Sequence, residues 1–397
     1  MRSGLLATWL ADRGHTVTWW ATSFDHARKE YRCNAASSYD WRPGITIRYL
    51  HSPTPYQKNI SWSRFVNHRE IAEDFRRTIE ALDPPDVILS GMPTPELCLE
   101  AVRFGKKKKI PALLDIRDLW PDDMIGLAPW PIRWAAQLAL TPISNTVKAA
   151  CREAAGICAT SPIFVDWGVK KSGRTRQSLD ADFPLGYSDQ APADSDCRRA
   201  EDFWSEKGIN GDAGEFTVCF FGALGATCLL KPAIDAARRF ALEGRQIRLV
   251  VCGKGDRFGE FRDYARDVDN VLFTGWVGRP EIWTLMRMAD VGLVPVKNIF
   301  SYMSNCPNKT IEYMSAGLPL LSSLGGILGQ LIEGERIGLI YSEENVEDLC
   351  AQLRRLMDDP AGRHEMARNA RQLFKERFSA EKVYTAFSEH LENVVKG

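Results

Sequence analysis

CPNKTIEYMSAGLP, residues 306–319, predicts a short helix that ends at Gly317 and is followed by a buried strand. Lys309 and Glu312 are three residues apart, so their side chains share one face of this helix. A cation and a carboxylate then lie near a helix N-terminus, where backbone N–H groups favour anions. This combination suits a ligand that carries both phosphates and hydroxyls, such as a sugar nucleotide. The alternative is an amphipathic helix with a surface ion pair, and this stretch alone does not decide between them.

Apolar strands alternate with helical patterns through the rest of the C-terminal half. Strands are predicted at residues 216–221, 247–252, 270–274 and 290–295. This alternation predicts a doubly wound parallel sheet, whose ligands bind beyond the carboxyl ends of the strands. Glycine turns follow three of the strands, at Gly222, Gly253 and Gly275, and each alone would indicate only turn geometry. Their shared place in the topology favours a binding site there.

Length and composition predict a globular protein of two α/β domains. The chain has 397 residues, of which 45% are hydrophobic and 26% charged, and its formal net charge is zero. Residues 1–175 carry 24 Lys and Arg against 18 Asp and Glu, a balance of +6, and the remainder carries 27 against 33, a balance of −6. Nine of the twelve Trp residues lie in the first 170 positions. A basic, Trp-rich half favours an anionic membrane surface as partner, whereas no recognised motif supports nucleic acid.

The cysteines indicate whether the protein works in a reducing or an oxidising compartment. None of the ten shows metal-ligand spacing, and several lie in apolar strands, which favours a reducing cytoplasm. No apolar run reaches the roughly 18–20 residues that span a bilayer, and no signal peptide is visible. We therefore expect a cytoplasmic protein.

The N-terminal half repeats the alternation of strand and helix. Strands are predicted at residues 16–21, 44–50, 86–90, 110–115 and 156–160. A helix over residues 2–14 precedes the first of them, whereas a doubly wound domain normally begins with a strand. We therefore expect the first strand to be missing, through a misassigned start or a true shortening. We expect two domains facing each other across a cleft: residues 1–172 with a terminal helix at 378–397, and residues 173–377.

Three features of the N-terminal half are candidates for function. Asp115, Arg117 and Asp118 lie at the carboxyl end of a strand, where such a fold places its ligand crevice, although an Arg flanked by carboxylates also suits a structural ion pair. Lys106–Lys109 is more often a solvated turn than a lipid site. Residues 124–134 are mostly apolar with one charge, Arg133, and a loop of that kind is buried or contacts a membrane or a partner.

Longer strings of residues resemble a known family. They lie at 10–18, 117–121, 184–187, 221–222, 289–295 and 307–319. On these strings the chain, from Arg2 to about His390, resembles bacterial glycosyltransferase family 4, whose retaining enzymes have the GT-B fold of two Rossmann-like domains. Within that family it is most similar to transferases that add N-acetylated deoxyhexosamines such as L-fucosamine during the assembly of surface polysaccharides, O-antigen and capsule among them.

The resemblance implies a donor site in the C-terminal domain. Glu312 occupies the place of a Glu that holds the ribose hydroxyls, and Ser304 stands where the family has a Glu that helps to hold the donor sugar. Lys309 is expected to contact the diphosphate, because Lys231 alone represents the Arg and Lys that family members place after the glycine loop. The donor-binding residues expected on this basis are Gly222, Lys231, Gly253, Trp276, Val277, Ser304, Asn305, Asn308, Lys309 and Glu312, with Trp276 and Val277 at the nucleobase.

The resemblance also implies an activity. The catalytic residues expected are Asp118, Lys309 and Glu312, and the acceptor-binding residues are Arg117, Asp118 and Trp120. We expect a hexosyltransferase-type enzyme, without metal or cofactor, that uses a nucleotide-diphosphate sugar, with UDP as nucleotide. Its acceptor would be a polyprenyl-diphosphate-linked saccharide at the inner face of the plasma membrane, where the enzyme would be peripherally bound. Two alternatives stay open: a GT-B sugar-nucleotide 2-epimerase, and an inactive GT-B subunit that stabilises a partner transferase.

Overall fold

The computed structural model describes residues 2–26, 28–58, 60–211 and 214–396, and it separates into two compact units. Unit 1 comprises Met1–Pro184 and Val383–Gly397, and unit 2 comprises Leu185–Lys382. Among the described residues, no helix combines the length and the apolar composition needed to cross a membrane.

Unit 1 contains nine strands and seven helices before its terminal helix, within the described residues. The strands are β1 (Val17–Thr22), β2 (Phe24–Asp25), β3 (Glu30–Tyr31), β4 (Ser37–Arg42), β5 (Ile45–Leu50), β6 (Ile88–Met92), β7 (Ala112–Ile116), β8 (Gly156–Ala159) and β9 (Ala181–Asp182). The helices are α1 (Arg2–Asp12), α2 (Trp62–Ile79), α3 (Pro95–Lys108), α4 (Asp122–Leu127), α5 (Arg133–Ala139), α6 (Thr141–Glu153) and α7 (Pro162–Ser172), with a 3-10 turn at Trp130–Ile132.

The strands of unit 1 form separate sheets rather than the single sheet that the alternation predicts. One has the order β1-β5-β4, another is a parallel sheet of order β6-β7-β8-β9, and β2 pairs with β3. Strands β1 and β5 are parallel, but β4 pairs antiparallel with β5, with Arg42 opposite Ile45. Only two residues separate β4 from β5, and such a short connection can join antiparallel strands but leaves no room for a helix. The predicted alternation of strand and helix is therefore wrong at this point.

Helices α2 and α3 supply a core to both larger sheets of unit 1. Phe75 and Phe104 are buried there, and Trp20 of β1 and Ile88 of β6 pack against the same cluster. Helix α17 (Ala380–Lys396) begins in unit 2, and its later turns belong to unit 1. There the Phe387 ring stacks on Phe183 with centroids 4.2 Å apart.

Unit 2 alternates strand and helix along most of its length. The strands are β10 (Phe216–Phe221), β11 (Ile247–Cys252), β12 (Val271–Gly275), β13 (Val291–Val294), β14 (Leu320–Ser322) and β15 (Gly338–Ile340). The helices are α8 (Asp194–Ser205), α9 (Lys231–Leu242), α10 (Phe258–Tyr264), α11 (Arg279–Met288), α12 (Phe300–Met303), α13 (Asn308–Ala316), α14 (Gly326–Glu335), α15 (Val346–Asp358) and α16 (Pro360–Leu373), with a π-helical turn at Phe374–Phe378.

The six strands of unit 2 form one parallel sheet of order β12-β11-β10-β13-β14-β15. Helices cover both faces, and every residue of β10 and β13 is buried, as the unbroken apolar runs predict. Chain order runs outward in one direction from β10 and in the other from β13. The carboxyl ends of these two strands therefore form the switch point at which doubly wound sheets bind ligands.

Candidate functional site

Gly222 follows β10 at the switch point and brings the backbone next to Lys309. Its φ is 147°, and its amide donates to the Cys252 carbonyl at 3.0 Å. A Cβ added at Gly222 would lie 3.0 Å from the Lys309 ammonium nitrogen, Nζ. Glycine thus allows the cation to approach the backbone at the end of β10.

Gly253 joins the turn after β11 to the turn after β10. A Cβ on Gly253 would lie 1.9 Å from the Gly222 carbonyl oxygen, a distance that no side chain tolerates. Its φ is 150°, and its amide donates to Gly275 at 2.7 Å, at the end of β12. The three glycine turns that the sequence places at strand ends therefore lie side by side.

Tyr313 holds helix α13 against the sheet. Its buried hydroxyl lies 3.2 Å from the Cys219 carbonyl and 3.3 Å from the Leu293 carbonyl, and so bonds the backbones of β10 and β13. Gly292 makes room for the ring, because a Cβ there would lie 2.4 Å from Tyr313. Lys309 lies one helical turn before Tyr313, so its side chain also turns toward the end of β10, and the first turn of α13 has no side-chain cap.

Lys309 and Glu312 both have strongly shifted pKa values. Burial lowers the pKa of Lys309 to about 8, although its ammonium lies 4.2 Å over the Phe220 ring. Burial raises the pKa of Glu312 to about 7, against the opposing effect of Lys309. In the part of the chain that the structure describes, neither side chain makes a hydrogen bond or an ion pair. Part-buried opposite charges held apart at a switch point are typical of a ligand site.

The remaining residues predicted around α13 differ in accessibility. Ser304 is buried, Asn305 accepts a hydrogen bond from the Cys306 amide at 2.8 Å through its own side chain, and Asn308 is exposed in the first turn of α13. Only Asn308 of these three presents an exposed side chain beside Lys309.

The side chains of Trp276 and Val277, at the end of β12, differ in their exposure to solvent. The Trp276 side chain is 71% exposed, whereas Val277 packs in the hydrophobic core of unit 2. A nucleobase could therefore stack on Trp276, but it could meet only the backbone of Val277.

Lys231 forms an ion pair within the protein, and an arginine shares its carboxylate partner. Its ammonium lies 2.8 Å from the Glu260 carboxylate, which also accepts two hydrogen bonds from Arg257 at 2.7 and 2.9 Å. Arg257 further donates to the Cys228 carbonyl, in the loop between Gly222 and Lys231. The sequence indicates no arginine partner for Lys231, and the structure supplies one from the turn after β11. The only signal for it in the sequence is the string GKGDR directly after a strand.

Tyr187 is a second residue that the sequence does not single out for a role. Burial raises the pKa of its hydroxyl to about 12, and the next contribution is the charge of Glu312. Tyr187 thus lies in the surroundings of the Lys309 and Glu312 pair.

In unit 1 the predicted acceptor residue Arg117 forms part of an ion-pair network. Asp115 is fully buried and accepts two hydrogen bonds from Arg2 at 3.0 Å and one from Arg117 at 2.8 Å. Arg117 also donates to Ser3 at 2.9 Å. Burial opposes ionisation of Asp115, but Arg117 and Arg2 outweigh it and hold the pKa of that carboxyl below its ordinary value. This network orients Arg117 and leaves its side chain 29% exposed.

Asp118 and Trp120 follow on the same loop. Asp118 keeps an exposed surface, and its carboxylate makes no hydrogen bond or ion pair with the described residues. Its pKa is raised, first because surrounding protein atoms displace water and second because Asp123 carries the same charge. Trp120 is buried, and the Arg64 guanidinium lies 4.2 Å over its ring.

The apolar segment predicted as a loop is helical and exposed. Residues 122–139 contain α4, the 3-10 turn and α5, and five of their large apolar side chains face solvent: Leu127, Trp130, Ile132, Trp134 and Leu138. In the Lys106–Lys109 run, by contrast, Lys107 and Lys108 are paired with Glu80.

Known protein families account for both units. Residues 2–176 match the model described as glycosyl transferase 4-like domain, and residues 202–373 match glycosyl transferases group 1. This chain belongs to the glycosyltransferases. Glycogen synthase of Mycobacterium tuberculosis is 29% identical over 157 residues, 39% of this chain and 37% of the relative. The chain spans less than half the length of the curated relatives it matches.

Solved structures share the fold of this chain. Sucrose-phosphate synthase from Thermosynechococcus elongatus matches with a TM-score of 0.74 at 17% identity, over 98% of this chain and 91% of that one. The Anabaena protein HepE, in complex with UDP-glucose, matches with a TM-score of 0.63 at 16% identity, over 87% of this chain and 86% of that one. The prediction of a two-domain α/β protein of GT-B fold is thus confirmed.

Proposed function

We propose that this glycosyltransferase moves a sugar from a nucleotide-diphosphate sugar to a saccharide acceptor. The observation that carries the proposal is the pair Lys309 and Glu312, held beside Gly222 at the switch point of unit 2. A UDP-linked donor is favoured because HepE, which shares the fold, was solved with UDP-glucose.

The donor groups match the chemistry of the residues at this site. Glu312, when ionised, accepts hydrogen bonds from the ribose hydroxyls. Lys309 and the uncapped first turn of α13 bind the diphosphate, with Asn308 beside them. The exposed Trp276 stacks on the nucleobase. Ser304 and Asn305, in the turn before α13, contact the donor sugar through their backbone.

The transfer requires stabilisation of the negative charge that develops on the leaving nucleotide diphosphate. The bond from sugar C1 to the β-phosphate oxygen breaks, a bond from C1 to an acceptor hydroxyl oxygen forms, and the hydroxyl proton is released. The pair of electrons leaves with the nucleotide diphosphate, whose growing negative charge Lys309 meets. On this proposal no metal or cofactor takes part, and the stereochemistry at C1 is retained, as the resemblance implies.

The acceptor is assigned to the loop that carries Arg117, Asp118 and Trp120. Asp118 has a raised pKa and makes no hydrogen bond or ion pair with the described residues, so it can accept a hydrogen bond from the acceptor hydroxyl. A polyprenyl-diphosphate-linked saccharide fits the exposed apolar segment 122–139 that follows this loop. The enzyme would then work at the cytoplasmic face of the membrane in surface-polysaccharide assembly, with an N-acetylated deoxyhexosamine as the transferred sugar.

Nucleotide release tests the proposal against its alternatives. The purified protein is titrated with UDP by calorimetry and then assayed for UDP release from UDP-sugars, with and without a lipid-linked saccharide. Release that depends on the acceptor supports a transferase. Release without acceptor favours the epimerase, and UDP binding without any turnover favours the binding subunit. Absence of UDP binding contradicts the donor assignment.

A further inference from the structure

A surface cavity lies at the amino end of β7, in unit 1. Its volume is about 420 Å³, and it lies where α3 and α6 end beside the first residue of the strand, Ala112. The amide of Ala155, after α6, donates to the Ala112 carbonyl at 2.9 Å. The proposed acceptor loop follows the opposite end of β7, about 13 Å away at roughly 3.3 Å per residue. The described residues that line the cavity therefore include no member of the proposed donor or acceptor site.

Gly105 shapes the wall that α3 forms. A Cβ added at Gly105 would lie 2.8 Å from the Cβ of Ala112 and 2.8 Å from the Ile110 carbonyl oxygen. Glycine thus allows the end of α3 to lie directly against the start of β7. The Ile110 amide donates to the Gly105 carbonyl at 2.8 Å and fixes this wall. The side chains that border the cavity are therefore carried by well-packed backbone.

Positive charge exceeds negative charge around the cavity. Three cationic side chains line it, and within the described residues none of them makes a hydrogen bond or an ion pair: Lys106, Lys109 and Arg152. The one carboxylate in the lining, that of Glu153, lies 4.0 Å from Arg103. Lys107 and Lys108, between the two lining lysines, are instead paired with Glu80. The cavity thus gathers cations whose charge no protein group compensates, which favours an anion.

Lys109 has a backbone conformation that favours glycine. It follows the last residue of α3 with a φ of 60°, in the left-handed region, where helices usually place Gly or Asn. Its amide donates to the carbonyls of Gly105 and Lys106, so these end groups of the helix already have backbone partners. Capping of α3 therefore needs the Lys109 backbone but not its ammonium. The cation is left for another role at a position where its side chain is conformationally unfavourable.

We propose that Lys106, Lys109 and Arg152 bind a phosphate group in this cavity. The Arg152 guanidinium offers paired donors to phosphate oxygens, and the two lysines supply point charges. Ile110 and Pro111 line the same cavity and would contact the carbon atoms to which the phosphate is attached. A phosphate monoester has this combination, either as the headgroup of an anionic lipid or as a soluble metabolite. The inference is independent of the proposed function, because the cavity shares no residue with the donor or acceptor site.

One phosphate monoester in two physical forms tests this site. Glycerol 3-phosphate is titrated by calorimetry onto the UDP-saturated protein, and vesicles of phosphatidylcholine with phosphatidic acid are used in co-sedimentation. We expect Lys106→Gln, Lys109→Gly and Arg152→Gln each to weaken binding at least about fivefold. Loss of glycerol 3-phosphate binding in these variants assigns the site to a soluble ester, and loss confined to vesicles assigns it to a lipid headgroup. For vesicles only the part of binding that these substitutions remove is counted, since segment 122–139 is expected to contribute.

Lys109→Gly separates binding from folding. It removes the ammonium and also the unfavourable left-handed lysine, so its melting temperature should be at least that of wild type while its phosphate binding falls. A lowered melting temperature together with unchanged binding would assign Lys109 a structural role and contradict the proposal.

Lys107→Gln is the matched control, because it removes one charge from the same run but its ammonium lies 2.6 Å from Glu80. It should bind both probes as wild type does. The proposal is overturned if wild type binds neither probe, or if Lys107→Gln weakens binding as much as Lys106→Gln. UDP affinity should be the same in every variant, so it reports on the proposed function separately.

Discussion

Glu312 gives the sharpest test of the donor site at the scale of single residues. Its carboxylate should accept ribose hydroxyls, and each charge-assisted hydrogen bond contributes roughly 1.5–3 kcal/mol. We expect Glu312→Gln to weaken UDP binding at least about tenfold in calorimetry, with an unchanged circular dichroism spectrum. Glu365→Gln, at an exposed surface pair with Arg336, is the control and should bind UDP normally. Equal affinity of wild type and Glu312→Gln would contradict the assignment.

The shifted pKa values of the same pair predict a pH dependence. Glu312, with a pKa of about 7, must lose its proton to accept hydroxyls, and Lys309, with a pKa of about 8, must keep its proton to bind phosphate. UDP affinity should therefore rise with pH through about 7 and fall above about 8. Titrations across this range should show the acid limb reduced in Glu312→Gln and the alkaline limb lost in Lys309→Ala. Limbs that persist unchanged in both variants would assign the titration to other groups.

At the scale of elements, the glycine turns determine how closely β10 and β11 bring their ends together. We expect Gly253→Ala to destabilise unit 2 by more than about 2 kcal/mol and to weaken UDP binding, since the new Cβ would overlap the Gly222 carbonyl. Gly225→Ala is the control, because it lies in the loop that follows β10 and its added Cβ would have no neighbouring atom within 4 Å. Thermal unfolding of both variants, with and without UDP, compares them. Similar melting temperatures would show that the turns do not need this close approach.

For the whole molecule, the exposed apolar segment 122–139 predicts membrane association. Trp130 and Trp134 are 82% and 70% exposed, and Trp prefers membrane interfaces. We expect wild type to co-sediment with anionic vesicles and Trp130→Ser/Trp134→Ser to lose most of that binding. Leu242→Ser, which removes an 84% exposed side chain from unit 2, should bind as wild type does. High salt should weaken binding only partly, because Lys107 and Lys108 are engaged with Glu80. Failure of wild type to bind vesicles would favour a soluble acceptor.

Structural features that depend on residues close together in the chain could be predicted from the sequence. The buried runs of β10 and β11, the glycines at their ends and the three-residue spacing of Lys309 and Glu312 are set by neighbours in the chain, so they predict the sheet of unit 2 and the position of its candidate site. Even the resemblance to glycosyltransferases rests on such short strings, because each string encodes one turn or one helix.

Only the tertiary structure decided the contacts between distant residues. Arg2 reaches Asp115 across 113 positions, Arg257 joins Lys231 through Glu260, and Arg64 of α2 stacks on Trp120 in the loop after β7. The split of unit 1 into separate sheets likewise depends on which strand edges meet. No periodicity or spacing encodes these pairings, since each arises when packing of apolar faces brings two segments together and burial then requires their charges to find partners.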